Sequence, residues 1–310
     1  MKPPPRKLIS DELTIVVLDT CTVRELAHAD AIPGWVPTFA IMKKSGYSFS
    51  LADGALAELL AQYIRGSIDD AKLSVIVEGL RTFLNPEVPV LLGKRDVMGM
   101  IGELDDPDWS PDDVAVYSKN GWALLQSPSN LTEEQGKAIV RALQGDRDDW
   151  NAFFETFNVA YTDWLQSEPD GETRYPLNQY THPALDVALE ALALRGRAQS
   201  PTLAERLDLQ MRYLWRQWVR TRQQKNAYNP TNKSNENDGI DFDLYRYLML
   251  PALIVSEDKG FYSRIADITS PQRGWFYRAQ ALAGAWASGK RPCPVWTADV
   301  SGLLAMRYVE

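Results

Sequence analysis

Four acidic residues have the type and position needed to bind a divalent cation. Asp19 and Asp258 closely follow short apolar runs, and open parallel sheets bind ligands at the carboxyl ends of their strands. Glu58 and Asp241 lie in helical patterns that lead out of that edge or back into it. Carboxylates that converge without histidine or cysteine repel one another unless a cation holds them, and oxygen ligands select Mg²⁺, Mn²⁺ or Ca²⁺. Two such ions about 3.5–4 Å apart can activate water and stabilise the leaving oxygen of a phosphodiester.

The other reactive side chains do not favour a different kind of site. The two histidines, His28 and His182, are too few for the usual zinc sites. The two cysteines, Cys21 and Cys293, are far apart and form no disulfide framework, so a reducing cytoplasm is the expected location. Cys21 is more typical of a small packed residue than of a nucleophile, because no histidine is placed to activate it.

Short buried strands and helices at the two ends of the chain must position the four acids. Continuous apolar runs predict strands over residues 13–18 and 252–255. Residues 47–51 are a further strand candidate. Periodic apolar positions predict helices from residue 20 onward and over residues 52–65, 241–250 and 272–288, and a last strand is predicted over residues 294–296. Strands that alternate with helices indicate an α/β fold.

The middle of the chain is predicted to be entirely helical, from residue 67 to residue 235. Thr132 and Gln135 form a plausible capping box, and an aromatic stripe over residues 150–165 predicts the core face of a helix. This pattern divides the chain into residues 1–66, 67–235 and 236–310. We expect the outer two segments to form the α/β core and the central segment to be a helical insertion.

The longest predicted helix, residues 201–224, carries a basic face. Because a helix turns by 100° per residue, five side chains lie on the face opposite its apolar stripe: Arg206, Arg212, Tyr213, Arg216 and Arg220. Basic side chains beside an aromatic ring suit phosphate contact and base stacking, which predicts a nucleic-acid interface. A solvated helix face, or a salt-bridge partner for the acidic segment of the chain, is an equally good interpretation.

Charge is distributed unevenly along the chain. The net charge is −8, but residues 101–190 contain 18 acidic and 5 basic residues, a net of −13, so the rest carries +5. Such segregation can leave a basic face for nucleic acid, although a solvated acidic surface explains it equally well. No apolar run approaches the ~18–20 residues of a membrane helix, and no apolar stretch follows the N-terminal charges. We therefore expect neither a membrane partner nor a secretory signal.

Four motifs in order resemble those of the PIN-domain nucleases. A strand ends in Leu18-Asp19-Thr20, and a helix after the second strand contains Ala57-Glu58-Leu59. An Asp-led helix begins in Asp238-Gly239-Ile240-Asp241-Phe242-Asp243, and an apolar strand ends in Ser256-Glu257-Asp258. The resemblance covers residues 13–66 and 236–310 and implies a PIN-like three-layer core with a central parallel sheet, interrupted by a large all-helical insertion. The insertion is far longer than in the small toxins of that family.

The resemblance also implies residue roles. It makes Asp19, Glu58, Asp241 and Asp258 the metal-binding catalytic acids, with Thr20 and Ser256 as hydroxyl helpers. Asp238, Asp241 and Asp243 compete for the third acidic position; Asp241 is favoured because the helix begins there, and Asp238 is kept as a further metal ligand.

The resemblance implies a function as well. It predicts a Mg²⁺- or Mn²⁺-dependent endonuclease, with RNA favoured over DNA as the substrate. Many members act as the toxin of a toxin–antitoxin pair, which predicts an inhibitor or antitoxin protein as partner. The alternatives are a non-catalytic PIN-like scaffold or interaction protein and a DNA-directed 5′-nuclease-like enzyme. A phosphatase of the haloacid dehalogenase type is disfavoured, because its motif needs an Asp where Cys21 stands.

Overall fold

A computed structural model describes most of the chain. The described residues are 8–10, 12–28, 31–92, 111–171, 177, 182–185, 207–223, 225, 227–232, 235, 237–250 and 252–294. The strands are β1 (Thr14–Leu18), β2 (Tyr47–Ala52), β3 (Val90–Leu91), β4 (Ala252–Val255) and β5 (Phe276–Tyr277). The helices are α1 (Thr20–His28), α2 (Trp35–Lys43), α3 (Asp53–Ile64), α4 (Asp70–Arg81), α5 (Pro111–Gln126), α6 (Glu133–Ser167), α7 (Asp208–Thr221), α8 (Asp238–Asp243), α9 (Lys259–Ile265) and α10 (Ala279–Ala287). Short 3₁₀ segments span Pro128–Asn130, Leu244–Met249 and Pro271–Trp275.

The five strands form one parallel sheet in the order β3-β2-β1-β4-β5. The predicted α/β class is therefore confirmed. In the register of the sheet, Leu18 at the end of β1 lies opposite Leu51 of β2 and Val255 of β4. The carboxyl ends of these three strands consequently meet at one edge, where Asp19 and Ser256 follow directly.

Both faces of the sheet are covered. Ile15, Val16, Val17 and Leu18 of β1 are all buried, and successive strand side chains point to opposite faces. All four residues of β4 are buried as well. Such continuous apolar runs are typical of parallel strands buried on two sides, as the sequence predicted.

The stretch 67–235 is not all helical, which corrects the prediction. It contains β3, which pairs with β2 and adds an edge to the sheet. The apolar run that ends in β3 is only five residues long, 88–92, and includes Pro89. So short a run does not distinguish a strand from a buried loop, and the pairing with β2 decides its structure. Most core residues of this stretch belong to the same hydrophobic cluster as the sheet, whereas Leu143 packs in a small second cluster with Ala61 and Ile240.

The long helix α6 links the middle of the chain to the sheet. It packs against α3 and α8, the helices that carry Glu58 and Asp241. Its N-terminus has the predicted capping box between Thr132 and Gln135. Residues of the predicted aromatic stripe are buried, among them Trp150 and Tyr161. The helix expected over residues 272–288 is instead a 3₁₀ turn, strand β5 and helix α10, because Phe276 and Tyr277 pair with β4.

Among the described residues, no helix combines the length and apolar character that crossing a membrane requires. The strand expected over residues 294–296 falls outside the described residues, apart from Pro294.

Candidate active site

Asp19 follows the central strand β1 directly and lies beside the end of β4. Its backbone N–H donates to the Val255 carbonyl at 3.0 Å, which extends the β1–β4 pairing by one residue. One side-chain oxygen accepts the Thr20 N–H at 2.7 Å, and the other accepts the Ser256 hydroxyl at 2.7 Å. The residue is only 8% exposed. Burial raises the pKa of Asp19, and the charge of Asp258 raises it further against the hydrogen bonds from Ser256 and Thr20.

Ser256 connects Asp19 to Asp258. Its buried hydroxyl oxygen accepts the Asp258 N–H at 3.2 Å while its proton goes to Asp19. The Asp258 carboxylate caps α9 by accepting the Gly260 N–H at 2.7 Å. One hydroxyl group thus joins the Asp19 carboxylate to the backbone of Asp258.

Glu58 reaches the same edge from α3. This helix begins directly after β2, and Glu58 lies in its second turn, partly buried. The Thr20 hydroxyl donates to Glu58 Oε2. Both hydroxyl groups predicted as helpers, those of Thr20 and Ser256, are therefore hydrogen-bonded to predicted metal-binding acids.

Asp241 lies close enough to the other three acids to feel their charges. Its side chain is 26% exposed. Burial raises the pKa of Asp241 to about 8, and the charges of Asp19, Glu58 and Asp258 add to this effect while Arg264 opposes it. Asp19, Glu58 and Asp241 also line one small pocket. The structure therefore brings the four predicted acids together at the carboxyl edge of the sheet.

The other two acids of α8 have different partners. Asp238 is buried, and its Oδ2 accepts the Tyr228 hydroxyl at 2.7 Å. Asp243 lines the pocket and pairs with Arg246 at 2.9 Å. The pKa of Asp241, the favoured candidate for the third acidic position, is raised by Asp19, Glu58 and Asp258 together.

Arg264 is a member of this site that the sequence analysis missed. Its Nη1 atom lies 3.1 Å from Asp238 Oδ1 and 3.0 Å from Asp241 Oδ2. Arg264 is in α9, six residues after Asp258, which caps that helix. That spacing was the available signal, since one short helix holds both residues at the same edge of the sheet.

The donors of the cluster are all oxygen atoms, and this donor set suits Mg²⁺ or Mn²⁺. The raised pKa values of Asp19 and Asp241 reflect burial and mutual repulsion, both of which a bound cation would offset. Within the described parts of the chain, no group of three or more His, Cys, Asp or Glu side chains is arranged to hold a metal ion as the side chains stand. Asp241 instead pairs with Arg264.

The predicted basic face of α7 is largely engaged with neighbours. Arg212 pairs with Asp208 at 2.7 Å, and Arg216 pairs with Asp267 at 3.0 Å. Arg220 donates to Gln217 and lies over the Tyr228 ring at 5.4 Å. Arg206 lies outside the described residues. Nucleic-acid binding by these arginines stays a prediction.

The placement predicted for Tyr213 is wrong. Its side chain is 1% exposed and stacks on Tyr245 with ring centroids 4.7 Å apart. The cause is that α7 is buried around most of its circumference: Trp215 and Gln217 are buried in addition to Met211, Leu214 and Trp218 of the predicted apolar stripe. Tyr213 therefore belongs to the core, and its ring is not presented to bases.

Comparisons with known protein families, with curated proteins and with solved structures give no match to this chain.

Proposed function

We propose that this protein is a PIN-like, Mg²⁺- or Mn²⁺-dependent endonuclease that hydrolyses phosphodiester bonds, with RNA as its preferred substrate. One observation carries the proposal: Asp19, Glu58, Asp241 and Asp258 come from four separate segments and act on one another electrostatically at a single sheet edge. Structural acids are usually paired with cations one by one. A cluster of carboxylates beside a pocket is the arrangement expected of an oxygen-ligand metal site.

Each residue of the cluster has a role in the proposed reaction. Asp19, Glu58, Asp241 and Asp258 would hold the cation, which when bound supplies an activated water and stabilises the leaving oxygen. Ser256 and Thr20 fix the orientation of Asp19 and Glu58 through their hydroxyl groups. Holding these carboxylates in place before the substrate arrives lowers the cost of reorganisation during the reaction.

The choice of RNA, and of a protein inhibitor as partner, follows from the resemblance to the PIN-domain nucleases. The acidic stretch 101–190, with its net charge of −13, supports a partner with a basic surface. The cytoplasm stays the proposed location, and both cysteines, Cys21 and Cys293, are free and exposed.

The test compares cleavage of RNA and of single-stranded DNA with Mn²⁺ and with EDTA. Asp19→Asn keeps the size of the side chain and removes the charge that holds the cation. We expect Mn²⁺-dependent cleavage that EDTA abolishes, and a loss of at least ~100-fold in Asp19→Asn, the size typical of removing one electrostatic contact to a transition state. Circular dichroism checks that the variant is folded.

The matched control is Asp163→Asn on the exposed side of α6, which should cleave like the wild type. Cleavage that persists in EDTA, or wild-type activity in folded Asp19→Asn, would contradict the proposal. Absence of any cleavage together with absence of Mn²⁺ binding would favour a non-catalytic PIN-like scaffold. Preference for DNA over RNA would assign the protein to the 5′-nuclease-like alternative.

A further inference from the structure

The guanidinium of Arg264 lies near three acidic residues, Asp238, Asp241 and Asp258. Its Nη1 atom contacts Asp238 Oδ1 and Asp241 Oδ2, at 3.1 and 3.0 Å. A methyl group placed on Gly260 would lie 3.7 Å from Arg264 Nη2 and 3.2 Å from Asp258 Oδ1. Nη1 of the guanidinium therefore faces α8, whereas Nη2 faces the first turn of α9, which Asp258 caps.

The two carboxylates that Nη1 contacts differ in their surroundings. The Asp238 side chain is 4% exposed and also accepts the Tyr228 hydroxyl at 2.7 Å, and the Tyr228 oxygen in turn accepts the Trp150 indole N–H at 2.9 Å. A buried carboxylate that makes several hydrogen bonds and ion pairs holds its partners firmly. Asp241 is 26% exposed and lines the pocket with Asp19. Asp238 is consequently a fixed anchor for Arg264, whereas Asp241 is a partner that can be exchanged.

A polyanion needs positive charge at this pocket, because the clustered carboxylates repel phosphate. Arg212 and Arg216 pair with Asp208 and Asp267, which lie outside the acid cluster. Arg264 contacts an acid of the cluster itself. A guanidinium carries five N–H donors and matches phosphate in a bidentate geometry.

We propose, on the basis of the proposed function, that Arg264 exchanges Asp241 for a phosphate group of the nucleic-acid substrate. When no ion is bound, Arg264 Nη1 holds the Asp241 side chain through the contact at 3.0 Å. If Asp241 held a divalent cation, Arg264 would remain anchored on Asp238, and the Nη1 donor released from Asp241 would bind the phosphate. Arg264 is thus a competitor of the cation at Asp241 and the group that fixes the phosphate beside it.

The test removes Arg264 without leaving a buried charge. Arg264→Gln alone would strip Asp238 of its ion pair, so the informative protein is the double variant Asp238→Asn/Arg264→Gln, compared with Asp238→Asn alone. Titration calorimetry measures Mn²⁺ binding in the absence of nucleic acid. A second titration, with Mn²⁺ saturating, uses uridine 5′-monophosphate, which has no phosphodiester to cleave. Arg81→Gln, which removes a surface arginine paired with Glu78, is the control and should match the wild type.

We expect the double variant to bind Mn²⁺ at least ~10-fold more tightly than Asp238→Asn, because Arg264 no longer competes for Asp241. The size of the effect is taken from the ~1–3 log units by which a neighbouring charge changes the affinity of a carboxylate for a proton. We expect it to bind uridine 5′-monophosphate about 10-fold more weakly, as one charged hydrogen-bonding contact is lost. Mn²⁺ binding of equal strength in the two proteins would overturn the exchange and leave the proposed nuclease standing. Unchanged nucleotide binding would also overturn it. Absence of Mn²⁺ binding in every protein, including the wild type, would overturn both proposals.

Discussion

Asp241 is the residue on which the charges of the site converge. It is partly buried, three other carboxylates disfavour its ionised form, and Arg264 opposes them. Its pKa accordingly rises from an ordinary value of 3.8 to about 8. At neutral pH a cation that binds this carboxylate must therefore displace a proton, and its affinity should increase as the pH rises.

The raised pKa of Asp241 predicts a pH dependence of stability without metal. The unfolded carboxyl group releases its proton near pH 3.8, whereas the folded one keeps it until about pH 8. Over that interval the folded state binds more protons, so the wild type should lose stability as the pH rises, relative to Asp241→Asn. The slope of the difference is at most about 1.4 kcal/mol per pH unit.

Urea unfolding of both proteins in EDTA, at several pH values from 4 to 8, measures this difference. A stability difference that does not vary with pH would show that the carboxyl group of Asp241 is already ionised at low pH in the folded protein.

At the scale of the element, α9 holds two charged groups of the site in a short span. Asp258 caps the helix and Arg264 lies in its last turn. Gly260, in the first turn, accommodates the Asp258 carboxylate, because a side chain there would meet Asp258 Oδ1 at 3.2 Å. A Cβ at this position therefore requires the Asp258 carboxylate to shift by a few tenths of an ångström.

The variant Gly260→Ala tests this requirement. Alanine favours a helix over glycine by up to ~1 kcal/mol, so the thermal midpoint should be equal or slightly higher. The added methyl group should shift the Asp258 carboxylate by a few tenths of an ångström, and we expect Mn²⁺ affinity and cleavage to fall about 10-fold, since small misplacements at a reacting centre are costly.

The matched control for this variant is Gly284→Ala in α10, where a Cβ would meet nothing within 4 Å. It should leave Mn²⁺ affinity and cleavage at wild-type values. Wild-type Mn²⁺ affinity in Gly260→Ala would mean that Asp258 is not held by this contact or does not bind the ion.

At the scale of the whole molecule, a chain of buried hydrogen bonds joins the middle of the sequence to the site. The indole N–H of Trp150 in α6 donates to the Tyr228 oxygen, and the Tyr228 hydroxyl donates to Asp238 in α8. Helix α6 also packs directly on α3 and α8. The helices of the middle segment thus support the two helices that bring acids to the sheet edge.

Tyr228→Phe is expected to destabilise the fold. It leaves the buried Trp150 N–H without an acceptor and removes a donor from Asp238, at a cost of about 1–3 kcal/mol. Guanidinium unfolding measures the change. The control is Tyr63→Phe, whose hydroxyl donates to the exposed Asp70, and this substitution should cost much less. Equal costs for the two variants would show that the hydrogen-bond chain through Tyr228 does not stabilise the fold.

What the sequence determined by itself lies mainly in local patterns. The apolar runs predicted β1 and β4, because strands buried on both faces leave a continuous signature. The segment of residues 47–51 was predicted as a strand as well, and it became β2. The position of Asp19 after β1 and of Asp258 after β4 placed both acids at one edge, since parallel strands share their carboxyl ends. The capping box at Thr132 and the aromatic stripe of α6 followed from side-chain spacing within one helix.

The tertiary structure decided the features that depend on neighbours distant in sequence. Strands β3 and β5 have two residues each and exist through pairing with β2 and β4, so no local pattern marked them. Tyr213 is buried because several elements surround α7, and a helical period identifies one apolar face but not how much of the circumference is covered. The neighbours of each acid in α8 decide its role. Asp238 is held by Tyr228 and Arg264, whereas Asp241 lies with the acids at the sheet edge. Charges and hydrogen bonds between separate segments are set only when the chain folds, which is why the contacts of Arg264 with Asp238 and Asp241 could be found only in the structure.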